Sequence, residues 1–172
     1  MDQAAFYGVV SAINFTLLGL WWVAVKDKTN VIGHENAASR RAAYLVSLQF
    51  IIPATVSLLA QVSPEEKAIW RIAFGSAGVI GAIGILLLAQ QIWVSTTARI
   101  SPIVFGMFGV PVYILVFAVA FAPTLVAEAG LTLKPIEIEG LLFSALVFLG
   151  VQEAWVVSMT PDKEEEATVE VV

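Results

Sequence analysis

The sequence predicts an all-α integral membrane protein, a bundle of five transmembrane helices with the N-terminus outside and the C-terminus in the cytoplasm. Three observations carry that expectation. Hydrophobic residues make up 59% of the chain and charged ones only 13%, where an ordinary soluble domain is about 25% charged. The mean hydropathy is +0.87. Apolar residues also gather into long runs, each near the roughly 20 residues that a helix needs to cross a hydrocarbon core about 30 Å thick. At 172 residues there is room for several such runs but not for a separate soluble domain. The expected organisation is one membrane domain over residues 1–160, followed by an acidic cytoplasmic tail over 161–172.

The first run, about Ala4 to Val25, stops at Lys26, Asp27 and Lys28. The second, about 42–62, follows Arg40 and Arg41 and ends before Ser63, Pro64 and Glu66, the signature of a capped helix start and hence a short turn. A third occupies about 68–94. The fourth, about 102–126, opens on Ser101 and Pro102. The fifth, about 138–159, ends at Thr160 and Pro161. Lipid cannot satisfy unpaired backbone groups, so all are expected to be helical. The run near the N-terminus lacks the positive flank of a signal peptide, carrying Asp2 instead, and reads as a retained helix.

Orientation follows from Lys and Arg in the short loops. With the N-terminus outside, Lys26, Lys28, Arg40, Arg41, Arg99 and Lys163 lie in the cytoplasm, while Lys67, Arg71 and Lys134 lie outside. Trp21, Trp22, Trp93 and Trp155 then fall near the cytoplasmic interface and Trp70 near the outer one, where indole rings settle. The expected location is a bacterial or archaeal plasma membrane.

Composition excludes several kinds of chemistry. Without cysteine there is no disulfide, thiolate metal site or cysteine nucleophile. The net charge of −5 and the lack of a basic cluster argue against nucleic acid as a partner. His34, the only histidine, lies in a loop and supports neither a metal site nor a serine–histidine pair. No span carries a central lysine for a retinal Schiff base or an arginine ladder for voltage sensing. No metal and no cofactor is expected; the partners are the lipid bilayer and either further copies of the chain or another membrane protein.

Small and kinking residues mark the middle spans. Gly75, Gly78, Gly81 and Gly84 recur at every third position of GSAGVIGAIG, a stripe that lets a second backbone approach closely. Three residues turn a helix through roughly 300°, so the stripe winds slowly round the helix. Packing within the monomer is the plainer expectation, and a homo-oligomer contact the sharper one. Pro53 and Pro111 each deprive a carbonyl of its helical donor, those of Gln49 and Met107, and predict kinks. Gly106 and Gly109 add freedom just before Pro111, giving either a hinge or a fixed bend. Arg71 reads as an interfacial anchor near Glu137 or Glu139.

Glu153 is the residue most out of place. It stands about 9 Å from the cytoplasmic end of its helix, deeper than a short carboxylate readily escapes. Counting the other spans to the same depth brings Gln49, Gln90, Gln91 and Gln152 into one polar layer, and Gly150, one turn before Glu153, leaves space for a neighbouring helix. An ionisable group at such depth is a functional-site hypothesis by default. It conducts or carries a small cation or proton, or it is a structural carboxyl, protonated by desolvation or bonded to the glutamines and Arg99, that holds the bundle together. Two functions follow: a small channel or transporter, expected to be oligomeric, or a non-transporting accessory subunit that docks through the glycine stripe, the tail or the loop from Lys26 to Arg41. An enzyme ranks third, since no nucleophile, metal set or cofactor motif is present.

The threading is tested by single cysteines. Asp2→Cys should react with an impermeant thiol reagent from outside intact cells, and Thr168→Cys only after permeabilisation; the opposite pattern would reverse the orientation.

Overall fold

The computed structural model describes residues 3–26, 37–62, 67–95, 100–128, 130 and 132–159, and all of its regular structure is helical. The helices are α1 (Gln3–Lys26), α2 (Ala37–Val62), α3 (Lys67–Ser95), α4 (Ile100–Phe121), the short α5 (Thr124–Glu128) and α6 (Pro135–Met159). Five of them are long and apolar enough to cross a membrane. Large apolar side chains such as Leu20, Ile72, Leu86, Phe108 and Phe148 are exposed on the outside of the bundle, while Asn14, Gln49, Glu139 and Glu153 are buried inside it. That distribution suits a protein whose solvent is lipid. The capping residues Ser63 to Glu66, the loop holding His34, Arg99 and the tail after Thr160 lie outside the described residues.

Three helix ends differ from the sequence expectation by three residues or more: α2 begins at Ala37 rather than at about residue 42, and proline explains the other two. The fourth span was expected to run to Val126, but α4 stops at Phe121. Pro123 has no N–H to continue the ladder and disfavours helical geometry at Ala122. The chain makes a turn there, closed by Leu125 N–H donating to the Ala122 carbonyl at 3.0 Å, and resumes as α5. At the other end, α6 begins at Pro135 rather than Ile138, because proline is well suited to a first helical position. Glu137 reaches back to accept from the Lys134 backbone N–H at 2.9 Å, the Glu half of a capping box, while its own N–H donates to the Lys134 carbonyl at 2.9 Å and closes the first turn.

Helix α2 is the most enclosed of the five, packing against α1, α3 and α6, and α6 in turn touches α1, α2 and α4. The closest association is between α3 and α4, and the glycine stripe makes it. A Cβ on Gly78 would stand 2.8 Å from the Phe117 backbone N and 2.8 Å from the Tyr113 carbonyl, so here one backbone rests on another. Gly75 faces the Phe121 ring and Gly81 the Tyr113 ring. The stripe is therefore filled from within the chain. In return Gly109 of α4 receives the side chain of Ile85, whereas Gly106 has open space around it. Pro53 is buried in α2 and Pro111 is exposed on α4.

Aromatic residues fill the interior toward the end where α6 begins: Phe74 stacks on Phe143 at 4.9 Å, with Tyr7 and Trp70 edge-on to Phe74. A second apolar cluster, around Trp21, Val46, Phe50 and Leu88, occupies the other end. Trp22, Trp93 and Trp155 are exposed at that end, as an interfacial belt requires. Trp21 and Trp70, which the sequence also placed at interfaces, are core residues instead, and Trp21 donates its indole N–H to the Ala43 carbonyl at 3.0 Å.

Gly78→Ala should lower unfolding stability in detergent by about 1–3 kcal/mol, the usual cost of forcing a methylene into a packed site. Gly19→Ala, in open space, should lose nothing, and equal melting temperatures for the two variants would contradict the backbone contact.

Candidate functional site

Apart from Gly140 beside Glu139, the buried positions on α6 fall at Glu139, Phe143, Leu146, Gly150 and Glu153, spaced four, three, four and three. That is the repeat of a single helix face turned inward. Glu153 lies on the face by phase, and its side chain is only 1% exposed. It does not reach the interface; it points into the protein. Gly150, one turn earlier, makes the approach possible, since a Cβ there would stand 3.1 Å from the Phe50 ring and 3.6 Å from the Gln49 Cβ.

Gln49 and Tyr113 complete the site. Gln49 is 2% exposed and Tyr113 0%. The Tyr113 hydroxyl donates to Gln49 Oε1 at 2.8 Å, tying α4 to α2 across the bundle. The glycine stripe is what allows this: the Tyr113 ring lies against Gly81, and Gln49 Nε2 lies 3.3 Å from where a Cβ of Gly84 would be. The Glu153 carboxyl is within electrostatic reach of the Tyr113 hydroxyl. Ile52 and Ile85 belong to one apolar cluster, Phe50 and Leu88 to the other. The polar site therefore sits at their junction.

What distinguishes this site is what it leaves unpaired. Both Glu153 carboxyl oxygens and Gln49 Nε2 make no hydrogen bond. Buried polar groups are nearly always paired, and each orphan costs about 1–3 kcal/mol. A carboxyl can take up and release a proton, accepting hydrogen bonds when ionised and donating one when protonated. Among the described residues no three His, Cys, Asp or Glu side chains come together as a metal site.

The depth layer divides by helix face. Gln90 is exposed, and Gln91 and Gln152 are half-buried, so only Gln49 joins Glu153 in the deep interior. Neighbours in sequence point about 100° apart on a helix, and the inward direction of α3 belongs to Ile85, Leu88 and Ile92. Depth alone does not settle which way a side chain faces. Tyr113 was missed because a tyrosine in an apolar run reads as core. Arg71 is an anchor, but not beside Glu137 or Glu139: it donates to the carbonyls of Ala120 at 2.8 Å and Phe121 at 3.2 Å, capping the last turn of α4.

Comparison with known proteins returns no match among protein-family models, curated proteins or solved structures.

Tyr113→Phe should cost about 1–3 kcal/mol of stability, because Gln49 Oε1 is then buried without a donor. Combining it with Gln49→Leu removes both partners and should recover part of the loss in thermal unfolding. Strict additivity of the two substitutions would show that the bond contributes nothing.

Proposed function

We propose that the protein carries protons or a small cation across a membrane, with Glu153 as the binding group and Gln49 and Tyr113 as the side chains that position it. One observation carries the reading: a carboxyl buried to 1% exposure in a helix long and apolar enough to cross a membrane, with neither oxygen hydrogen-bonded. A structural carboxyl would be expected to use its oxygens in bonds that hold helices together. Here the bond between helices is made by Tyr113 and Gln49, and the carboxyl stands beside it uncommitted. A charge buried without a partner is costly, and a bound cation or proton removes that cost. The proposed threading, N-terminus outside, rests on exposed Lys26, Arg40 and Arg41 at the end of the bundle that also carries the tryptophan belt. The proposal needs a single chain, since the glycine stripe is filled by α4 and, at Gly84, by Gln49 of α2, and lends no support to an oligomer contact.

Purified protein in liposomes, assayed for proton and alkali-cation flux under an imposed gradient, tests the reading. Glu153→Gln keeps the shape while removing the titratable group, so it should fold as the wild type does and bring flux down to that of empty liposomes. Wild-type protein that passes nothing above that level would sink the proposal and leave an accessory role.

A further inference from the structure

We infer that the cargo is the proton and that Glu139, at the opposite end of α6 from Glu153, is its second station. The inference rests on the transport reading above and extends it to a part of the molecule that the site does not include.

Glu139 is 0% exposed, and neither of its carboxyl oxygens makes a hydrogen bond. It lies 14 residues before Glu153 (153 − 139), which is about 21 Å along the axis and within about 40° of the same face. One helix thus presents two uncommitted carboxyls to the interior, one near each end of its span. Glu139 sits within electrostatic reach of the Tyr7 hydroxyl, but that hydroxyl donates elsewhere, to the Ile136 carbonyl at 2.6 Å. The Arg71 guanidinium is turned to the carbonyls of α4. The arrangement at Glu139 repeats that at Glu153: a buried tyrosine whose hydroxyl is spent on a helix-to-helix bond, beside a carboxyl left free.

The groups between the stations favour a proton over a metal cation. Gln49 gives its carbonyl oxygen to Tyr113, so its unpaired end is the amide nitrogen. That end is a donor, suited to a carboxylate and repellent to a cation. A metal ion stripped of water needs several oxygen ligands around it, and along α6 between the carboxyls stand Phe143, Leu146 and Gly150, with Phe74 stacked on Phe143. A proton asks only for an acceptor at each step. Ser57 Oγ and Asn14 Oδ1 are buried oxygens without a partner. Counted from the end where α6 begins, Glu139 lies at about 6 Å, Ser57 at about 7 Å, Asn14 at about 16 Å, Gln49 at about 20 Å and Glu153 at about 27 Å. Helices α1, α2 and α6, which carry these five, pack against one another pairwise. In each transfer one H⁺ leaves a carboxyl O–H of Glu139 or Glu153, that group remains as carboxylate, and water entering the bundle accepts the H⁺ and delivers it to the other carboxylate. Ser57, Asn14 and Gln49 offer that water hydrogen bonds and do not hold the proton themselves. No electron moves.

The test uses full-length protein in liposomes with a potassium-ionophore potential, an internal pH dye, and Na⁺ and K⁺ flux measured in parallel. The variants are Glu139→Gln, Glu139→Asp, Glu153→Gln and, as a control at an exposed carboxyl, Glu128→Gln. Wild type and Glu128→Gln are expected to pass protons and no alkali cation, while Glu139→Gln and Glu153→Gln fall to the level of empty liposomes. Glu139→Asp, which keeps a carboxyl on a shorter stem, is expected to retain proton flux with a displaced pH profile, and this decides the matter if Glu139→Gln does not fold. Wild-type flux in Glu139→Gln, or an undisplaced profile in Glu139→Asp, overturns the second station and leaves Glu153 in place. Alkali-cation flux in the wild type overturns the proton but not the Glu153 site. Absence of all flux in the wild type removes both.

Discussion

At Gly78 the backbone of α3 rests on that of α4, and the interior of the bundle is arranged around that approach. Helices in lipid gain little from hiding apolar surface, because acyl chains are as apolar as leucine, so van der Waals contact between backbones has to supply the association. The consequence extends beyond those two helices. With α4 held this close, the Tyr113 ring settles against Gly81 and its hydroxyl reaches past α3 to Gln49 on α2. Removing the side chain at every third position of α3 thus fixes a polar contact one helix further on.

The polar interior has a division of labour. Tyr7, Ser11, Trp21 and Tyr113 donate to Ile136, Ala54, Ala43 and Gln49 respectively, and each of those bonds joins two helices. Glu139 and Glu153 take part in none of the bonds seen here. Ser57 Oγ, Asn14 Oδ1 and Gln49 Nε2 are unpaired as well, but a carboxyl buried without hydrogen bonds is the greater thermodynamic burden. Folding alone gives no reason to place two of them on the inward seam of α6, where leucine would serve.

The five spans were legible in the sequence because hydrocarbon thickness imposes a length that composition records directly. Their ends were less legible: Pro123 lies inside an apolar run that continues to Val126, so hydropathy passes over the break that backbone chemistry enforces. For the site, depth could be counted but direction could not. Gln49 and Gln90 were equivalent by depth, and the structure buries one and exposes the other. Glu139 carried a usable signal, its fourteen-residue spacing from Glu153 on one helix face, but its nearness to the span's end and to Arg71 suggested an interfacial pair. The arginine instead satisfies the carbonyls that Pro123 leaves at the end of α4.

Of the two prolines within spans, only Pro53 bears on the site. Pro111 is exposed on the outside of α4, away from the Gln49 contact. Pro53 is buried in α2 four residues after Gln49, and it has no N–H to hold the Gln49 carbonyl in the helical ladder. The residue that pairs with Tyr113 through its side chain is therefore one whose backbone carbonyl lacks its helical donor. A small bend at this point would move the Gln49 amide relative to both Tyr113 and Glu153 while the glycine contact between α3 and α4 stayed closed. A rearrangement of the bundle near Gln49 would cost least as a motion of α2 against α3 and α4, because α2 carries the flexible joint and α3 and α4 carry the rigid one.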